Sequence, residues 1–196
     1  MALTTYTAGE VLTAASLNDN FAFAASGGLT VVKAETAFTG QSSFNVPSIF
    51  SSTYTNYLIN FRWFAATSNG GIQVQLSVAG VAAASAYNYM RVIAYGAGSL
   101  AASRSTAQTS FAVASQAGGA TGVYQFGQLQ LSGPAEANPT MLAVSGALQD
   151  GAAYITPDAE IFNGNHATAT AYDGLTIIAQ TGTITGTYTV YGYGKS

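Results

Sequence analysis

The chain has no cysteine and few charged residues. Its 196 residues contain no Cys, which excludes a disulfide framework and thiolate chemistry. Charged residues make up 7% of the chain, against about 25% in an average soluble protein. Five lysines and arginines are too few for the clustered basic surface that neutralises nucleic-acid phosphates. We therefore expect no nucleic acid among the partners of this protein.

Long apolar runs are also missing. No run approaches the ~18 residues of a membrane helix, and Lys33 is the first basic residue, so the basic region that opens a secretory signal is absent. We expect neither membrane insertion nor export by such a signal. At 48% hydrophobic and 12% aromatic residues, the composition is opposite to that of a disordered chain. The length suits one domain with a sizeable core and a short appendage.

Residues 1–28 carry the only helical pattern. Thr7 to Glu10 has the spacing of a capping box, and Thr13 offers a second N-cap before the apolar positions. A helix of about a dozen residues is marginal alone in water, so we predict that this segment needs a partner surface. We predict an attachment and oligomerisation segment with a short helix, whose interface residues are Val11, Leu12, Leu17 and Phe21.

From Leu29 to the end of the chain, at residue 196, apolar and polar residues alternate. The alternation is strict in Ile72–Val78. In Tyr57–Phe64 the residues are larger and more apolar on both sides, which is typical of a central strand. In Thr183–Tyr191 apolar residues alternate with a ladder of threonines. Such runs, separated by short turn signals, predict an all-β domain over residues 29–196, an antiparallel sandwich or jelly roll. Near Gly127 the phase of the alternation shifts, which predicts a β-bulge.

The chain has one histidine, His166. A Ser-His-acid triad would have to use it, and a catalytic zinc site ordinarily needs two or three His or Cys ligands. Asn163–His166 has the composition of a turn, and no nucleophile elbow is present. We therefore expect a turn or surface histidine, no catalytic residue, no metal, no cofactor and no enzyme activity.

Acidic residues dominate the second half of the chain. No Lys or Arg lies between Arg104 and Lys195, which leaves the acids there without compensation. Asp158 and Glu160 are two apart and would point to the same side of an extended chain. Such a pair could bind Ca²⁺ or serve a glycosidase. Separated single acids are more often solvated loop residues, which is the interpretation we favour.

Sparse charge also bears on assembly. Interface cores are poor in charge and rich in aromatic residues, and exposed sheet edges with few lysines aggregate unless they are covered. The chain has 12 Tyr and 10 Phe. We therefore expect it to pack against copies of itself.

Three segments resemble parts of tailed-bacteriophage tail-fibre and virion surface proteins. They are Tyr6–Phe21, which follows a GxxLTAxxLNxxF pattern, Ile49–Tyr57 and Thr181–Gly194. The resemblance implies a virion structural protein, a short tail fibre or spike, commonly a homotrimer, that is assembled in the host cytoplasm. Its N-terminus would attach to other virion proteins, and its β-domain would face the host surface, with polysaccharide as the expected ligand.

Two other functions fit features of the sequence. A capsid decoration, cement or head-fibre protein that binds the capsid shell fits the length and the sparse charge equally well. A glycan depolymerase would need the acidic half of the chain, with Asp158 and Glu160 as its carboxylates.

Overall fold

A computed structural model describes residues 28–65, 71–95, 98–114, 124–150 and 156–193, with Thr5, Thr7, Gly9, Glu10, 13–15 and Asn18. Within these residues the chain forms thirteen strands, and their ladders are antiparallel. The strands are β1 (Leu29–Gln41), β2 (Ser43–Val46), β3 (Asn56–Ala65), β4 (Ile72–Val78), β5 (Val81–Ala82), β6 (Tyr87–Ala94), β7 (Leu100–Gln108), β8 (Phe111–Ala112), β9 (Gln125–Ser132), β10 (Thr140–Asp150), β11 (Thr156–His166), β12 (Gly174–Ala179) and β13 (Ile184–Tyr193).

The strands form two sheets. The larger has eight strands in the order β1-β13-β3-β9-β10-β11-β6-β7, and the smaller has the order β2-β12-β4-β5, with β8 paired to β4. Buried residues of both sheets, such as Trp63 and Leu129 of the larger and Val74 and Ile177 of the smaller, belong to one hydrophobic cluster. The predicted antiparallel β-sandwich is therefore confirmed. Among the described residues, no helix has the length and apolarity needed to cross a bilayer.

The alternation in the sequence sets which side chains enter the core. In β4, Ile72, Val74 and Leu76 are fully buried while the glutamines between them are partly exposed. In β13, alternate residues from Ile184 to Gly192 are buried and the threonines point the other way. Because successive strand residues face opposite sides, one side of these strands faces the other sheet, whereas the edge strand β7 is exposed on both sides. We call the opposite side of the eight-stranded sheet its outer face.

The predicted bulge at Gly127 is wrong. Pairing runs without a register shift through Gly127 on both sides, to β3 and to β10. Phe126 points outward and is 42% exposed, while Gly127 is buried. A Cβ at Gly127 would lie 3.3 Å from atoms of both Trp63 and Val113. The apparent phase shift arises because a glycine takes the inward position beneath a tryptophan, and an aromatic residue takes the outward position beside it.

The predicted capping box at Thr7 is also corrected. The Glu10 carboxylate accepts from the Thr7 N–H (2.6 Å) and Oγ1 (3.1 Å), and the Glu10 N–H donates to the Thr7 carbonyl. These contacts hold the pKa of Glu10 below its usual range, chiefly through the backbone bond. Gly9, however, has φ 97°, which a right-handed helix excludes. The contacts between Thr7 and Glu10 therefore close a turn at Gly9 and do not begin a helix, and the helical backbone of Ala14 and Ala15 follows Thr13.

Candidate functional site

The outer face of the eight-stranded sheet exposes large apolar side chains. Eight strands at about 4.8 Å spacing make a face about 38 Å wide. No strand covers this face within the described residues, because the smaller sheet packs on the inner one. Its exposed apolar residues include Leu29, Val31, Met90, Val92, Leu100, Phe126, Met141, Ile161 and Tyr193.

The apolar residues are densest on β11, β6 and β7. Ile161 lies opposite Val92 in the ladder, and Met90 and Leu100 are 60% and 76% exposed. Alanines fill the positions between them. Arg104, opposite Met90, lies at the border. We define the apolar patch as Met90, Val92, Ala94, Leu100, Ala102, Ala159 and Ile161.

Towards the other end of the outer face, β13 and β3 carry polar side chains, and the edge strand β1 adds the exposed Leu29 and Val31. The predicted threonine ladder of β13 is present, with the Thr187 hydroxyl donating to Glu35 at 3.4 Å. The Arg62 guanidinium lies 3.6 Å from the centre of the Tyr124 ring, and Phe64 meets the same ring edge-on at 5.2 Å. The two ends therefore differ: outward side chains of β13 and β3 contact one another or their neighbours, whereas β6, β7 and β11 present a contiguous apolar patch to water.

Between these two ends lies a cavity of about 370 Å³. Its outward-facing side chains come from five adjacent strands, β13, β3, β9, β10 and β11. None of the described residues that line it carries a charge. Most of its lining surface is apolar, and amide and hydroxyl groups are set into it. We call this cavity the polar dish after those groups; its outward side chains are Asn56, Gln130, Ser132, Met141, Ala143, Asn163 and Tyr193.

His166 is buried, so the expectation of a turn or surface histidine is wrong. It ends β11 and is 1% exposed. Its Nδ1 lies 3.0 Å from the Tyr172 hydroxyl, with which it shares a hydrogen bond, and its ring packs edge-on against Tyr87 and Tyr172. Burial lowers the pKa of His166, outweighing the opposite effect of the Ser85 and Thr168 carbonyls. A neutral, hydrogen-bonded core histidine results.

The sequence signal failed at His166 because of Gly164. Asn163-Gly164-Asn165 has turn composition but lies inside β11, paired residue by residue with β6. A Cβ at position 164 would lie 2.0 Å from the Asn88 carbonyl oxygen, so the glycine lets a neighbouring strand approach. Asn88 also donates to the Asn165 side chain at 3.3 Å. The glycine and the asparagines therefore serve strand pairing here.

Asp158 and Glu160 point to the same side of β11, as predicted, but they are not solvated loop residues. They are 4% and 1% exposed on the inner face. Glu160 forms an ion pair with Arg91 of β6 at 2.7 Å. Negative charge in the second half of the chain is therefore partly compensated, because Arg91 from the first half pairs with Glu160. Within the described ranges no group of three or more His, Cys, Asp and Glu side chains is placed to hold a metal ion.

The residues predicted to form the attachment interface lie outside the described part of the chain. They are Val11, Leu12, Leu17 and Phe21. The residues of the polar dish were missed by sequence reasoning, because they are scattered over five strands whose pairing the sequence does not specify. The available signal was their outward position in the alternation of each strand.

A scan against protein-family models finds no match for this chain, and a search of curated proteins finds none either. Three solved chains match it. One is the crystal structure of the Caenorhabditis elegans galectin LEC-6, with 10% identity over 81% of this chain and 96% of that chain, and a TM-score of 0.35.

Proposed function

We propose that this protein is a structural component of a bacteriophage virion, a short tail fibre or spike that acts as a homotrimer. Residues 1–28 attach it to other virion proteins, with Val11, Leu12, Leu17 and Phe21 as the anchors. The β-domain faces the host surface, and the protein has no catalytic role. The phage assignment is supported by the resemblance of Tyr6–Phe21 and the two later segments to virion proteins.

The observation that carries the building-block role is the apolar patch. A monomer in water gains nothing from exposing Leu100 at 76%, Met90 at 60% and Ile161 at 50%, whereas burial stabilises by about 25 cal/mol per Å² of apolar surface. Charge is sparse beside the patch, so burying it requires the desolvation of few ions. Packing of copies through the apolar patch on β6, β7 and β11 would take these side chains out of water, and specific interfaces bury about 800 Å² per partner.

A capsid decoration, cement or head-fibre role is the second candidate. The same apolar patch could pack on capsid subunits instead of a second copy. The two roles differ in number: a decoration protein occurs at the copy number of the shell lattice, and a tail fibre occurs in a few copies at one vertex.

Labelling of purified particles tests the proposal. An antibody raised against the β-domain is applied to intact particles, and the position of the label is read by electron microscopy while quantitative mass spectrometry gives the copy number. We expect label at the tail with a copy number divisible by three. Label over the whole shell would select the decoration role, and absence of the protein from particles would contradict both.

Replacement of the predicted anchors sharpens that experiment. The double variant Leu17→Ala, Phe21→Ala should leave the β-domain folded and lower the copy number per particle, since each buried anchor contributes about 2–4 kcal/mol. A matched variant with Thr5→Ala and Thr7→Ala changes the same segment without removing apolar anchors. Equal incorporation of both variants would show that Leu17 and Phe21 do not attach the protein.

A further inference from the structure

The polar dish has a floor made by one small residue. Ala143 of β10 is paired directly with Gln130 of β9 and with Asn163 of β11. Neighbouring strands lie about 4.8 Å apart, so the two amide side chains flank the alanine at a separation of about 10 Å. A methyl group between two longer side chains leaves a hollow in the sheet face.

Within the part of the chain that the structure describes, the side-chain amides of the dish have no hydrogen-bond partner. No side-chain hydrogen bond of the described residues engages Asn56, Gln130 or Asn163, and each is exposed. A side-chain amide offers two donor hydrogens and one acceptor oxygen, and the nearby Ser132 hydroxyl offers both functions. The set therefore suits a ligand that also donates and accepts at closely spaced positions.

The rim of the dish adds amphipathic surface. Tyr193 of β13 is 38% exposed at one side, and Met141 of β10 is 57% exposed at the other. The row between them is Asn56 and Ser132, which are direct partners in the β3–β9 ladder. An exposed tyrosine ring offers an apolar face together with a polar tip, so the dish can contact both the C–H and the O–H groups of one ligand.

Charge decides between ligand classes. None of the described residues that line the dish has an ionic side chain, and recognition of phosphates, carboxylates or sulfates draws on Arg, Lys or helix N-termini. A peptide that adds as a strand needs unpaired backbone groups at a sheet edge, whereas the five strands of the dish are interior and paired on both sides. An uncharged polyhydroxylated ligand fits both restrictions.

We propose that the polar dish is a binding site for an uncharged saccharide. This inference rests on the proposed role in host-surface recognition. The resemblance to phage fibres implied that the β-domain binds a ligand but gave no location, and the inference assigns the ligand to the outer face of the sheet. The site belongs to the outer face beside the apolar patch, so it stays open when copies pack through β6 and β7.

Titration of the full-length protein with defined oligosaccharides tests the inference. The probes are uncharged oligomers of glucose, galactose and mannose, with a sialylated and a sulfated oligosaccharide for comparison, at millimolar concentration. Binding is followed by calorimetry and by amide chemical shifts. We expect at least one uncharged probe to bind and to shift the amides of β9, β10 and β11.

Two variants on one strand supply the control. Ala143→Phe fills the floor of the dish, while Ala147→Phe places the same ring on the same face of β10, outside the dish. We expect at least a tenfold loss of affinity for the first and no change for the second. The double variant Gln130→Ala, Asn163→Ala removes the flanking amides without adding bulk, and it should lose at least tenfold as well.

Several results would overturn the site. Binding restricted to the charged probes, unchanged binding by Ala143→Phe, or equal losses in the Ala147→Phe control would each contradict it, as would the absence of binding to every uncharged probe. These failures are distinct from failure of the proposed function. If the protein is found at the phage tail but binds no saccharide, the virion role stands and the site is contradicted. If it binds saccharide through the dish but is absent from particles, the site stands and the virion role is contradicted.

Discussion

The two faces of the eight-stranded sheet carry similar apolar residue types, which are buried on one face and exposed on the other. On the inner face Trp63, Phe61 and Tyr57 are fully buried against the smaller sheet. On the outer face Phe126, Ile161 and Met90 are 42–60% exposed. The inner residues are needed for the chain to fold, and the outer ones make no comparable contribution within one chain. Apolar side chains that do not stabilise the monomer are available for contacts between molecules.

The largest expected difference between the faces concerns stability. Trp63→Ala should lower the free energy of unfolding by about 3–5 kcal/mol, because it removes a fully buried ring and leaves a cavity. Phe126→Ala on the adjacent strand, a matched aromatic truncation on the outer face, should cost about 1 kcal/mol or less. Urea unfolding followed by circular dichroism measures both variants. Tryptophan fluorescence would not, because Trp63 is the only tryptophan and Trp63→Ala removes it. Similar losses for the two variants would mean that the outer face also stabilises the fold.

The second expected difference concerns assembly. Ile161→Ser with Val92→Ser replaces a cross-strand pair of the apolar patch and should weaken self-association by about 3 kcal/mol, on the order of a hundredfold in dissociation constant. Unfolding should change little, because both side chains are 41–50% exposed in one chain.

The matched control is the exposed cross-strand pair Val78 and Val81 on the smaller sheet, also replaced by serine. Sedimentation velocity over a range of protein concentrations separates the two variants. A wild-type protein that stays monomeric up to its solubility limit would contradict self-association through the patch, and dissociation by the control pair would move the interface to the other sheet.

Local pattern predicted the strands well. The alternation in Ile72–Val78 and the threonine ladder of β13 each require only that one strand side be buried, and both are present. The predictions at Gly127 and Gly164 were wrong because each glycine makes room for a residue distant in the sequence. That residue is Trp63 for Gly127, and for Gly164 it is Asn88, through its carbonyl. A single sequence does not state which strands are neighbours, so it cannot distinguish such a glycine from a turn.

The same limit applies to the candidate site. Gln130, Ala143 and Asn163 form one row only because β9, β10 and β11 are adjacent and in this register. Each residue alone is an ordinary outward-facing strand position. The burial of Asp158 and Glu160 was likewise hidden, because Arg91, which pairs with Glu160, lies on another strand and in the first half of the chain.

The smallest expected effect is a pH dependence of stability, which tests whether water is excluded from His166 on the inner face. Burial lowers the pKa of His166 below the ordinary value of about 6.5. As the pH falls below about 6.5, the unfolded chain binds a proton before the folded chain does. Stability is therefore complete above this pH and is lost progressively down to the folded pKa, with a slope of at most about 1.4 kcal/mol per pH unit.

Because His166 is the only histidine, one imidazole resonance reports on it without substitution. We expect its folded pKa by NMR titration to lie below that of the urea-unfolded chain, which serves as the internal reference. Stability measured between pH 6.5 and about 5 should fall in parallel, above the range where ordinary carboxylates titrate at about 4. A folded pKa at or above the unfolded value would mean that water reaches the ring between Tyr87 and Tyr172, and that the inner face is as wet at β11 as the outer face is.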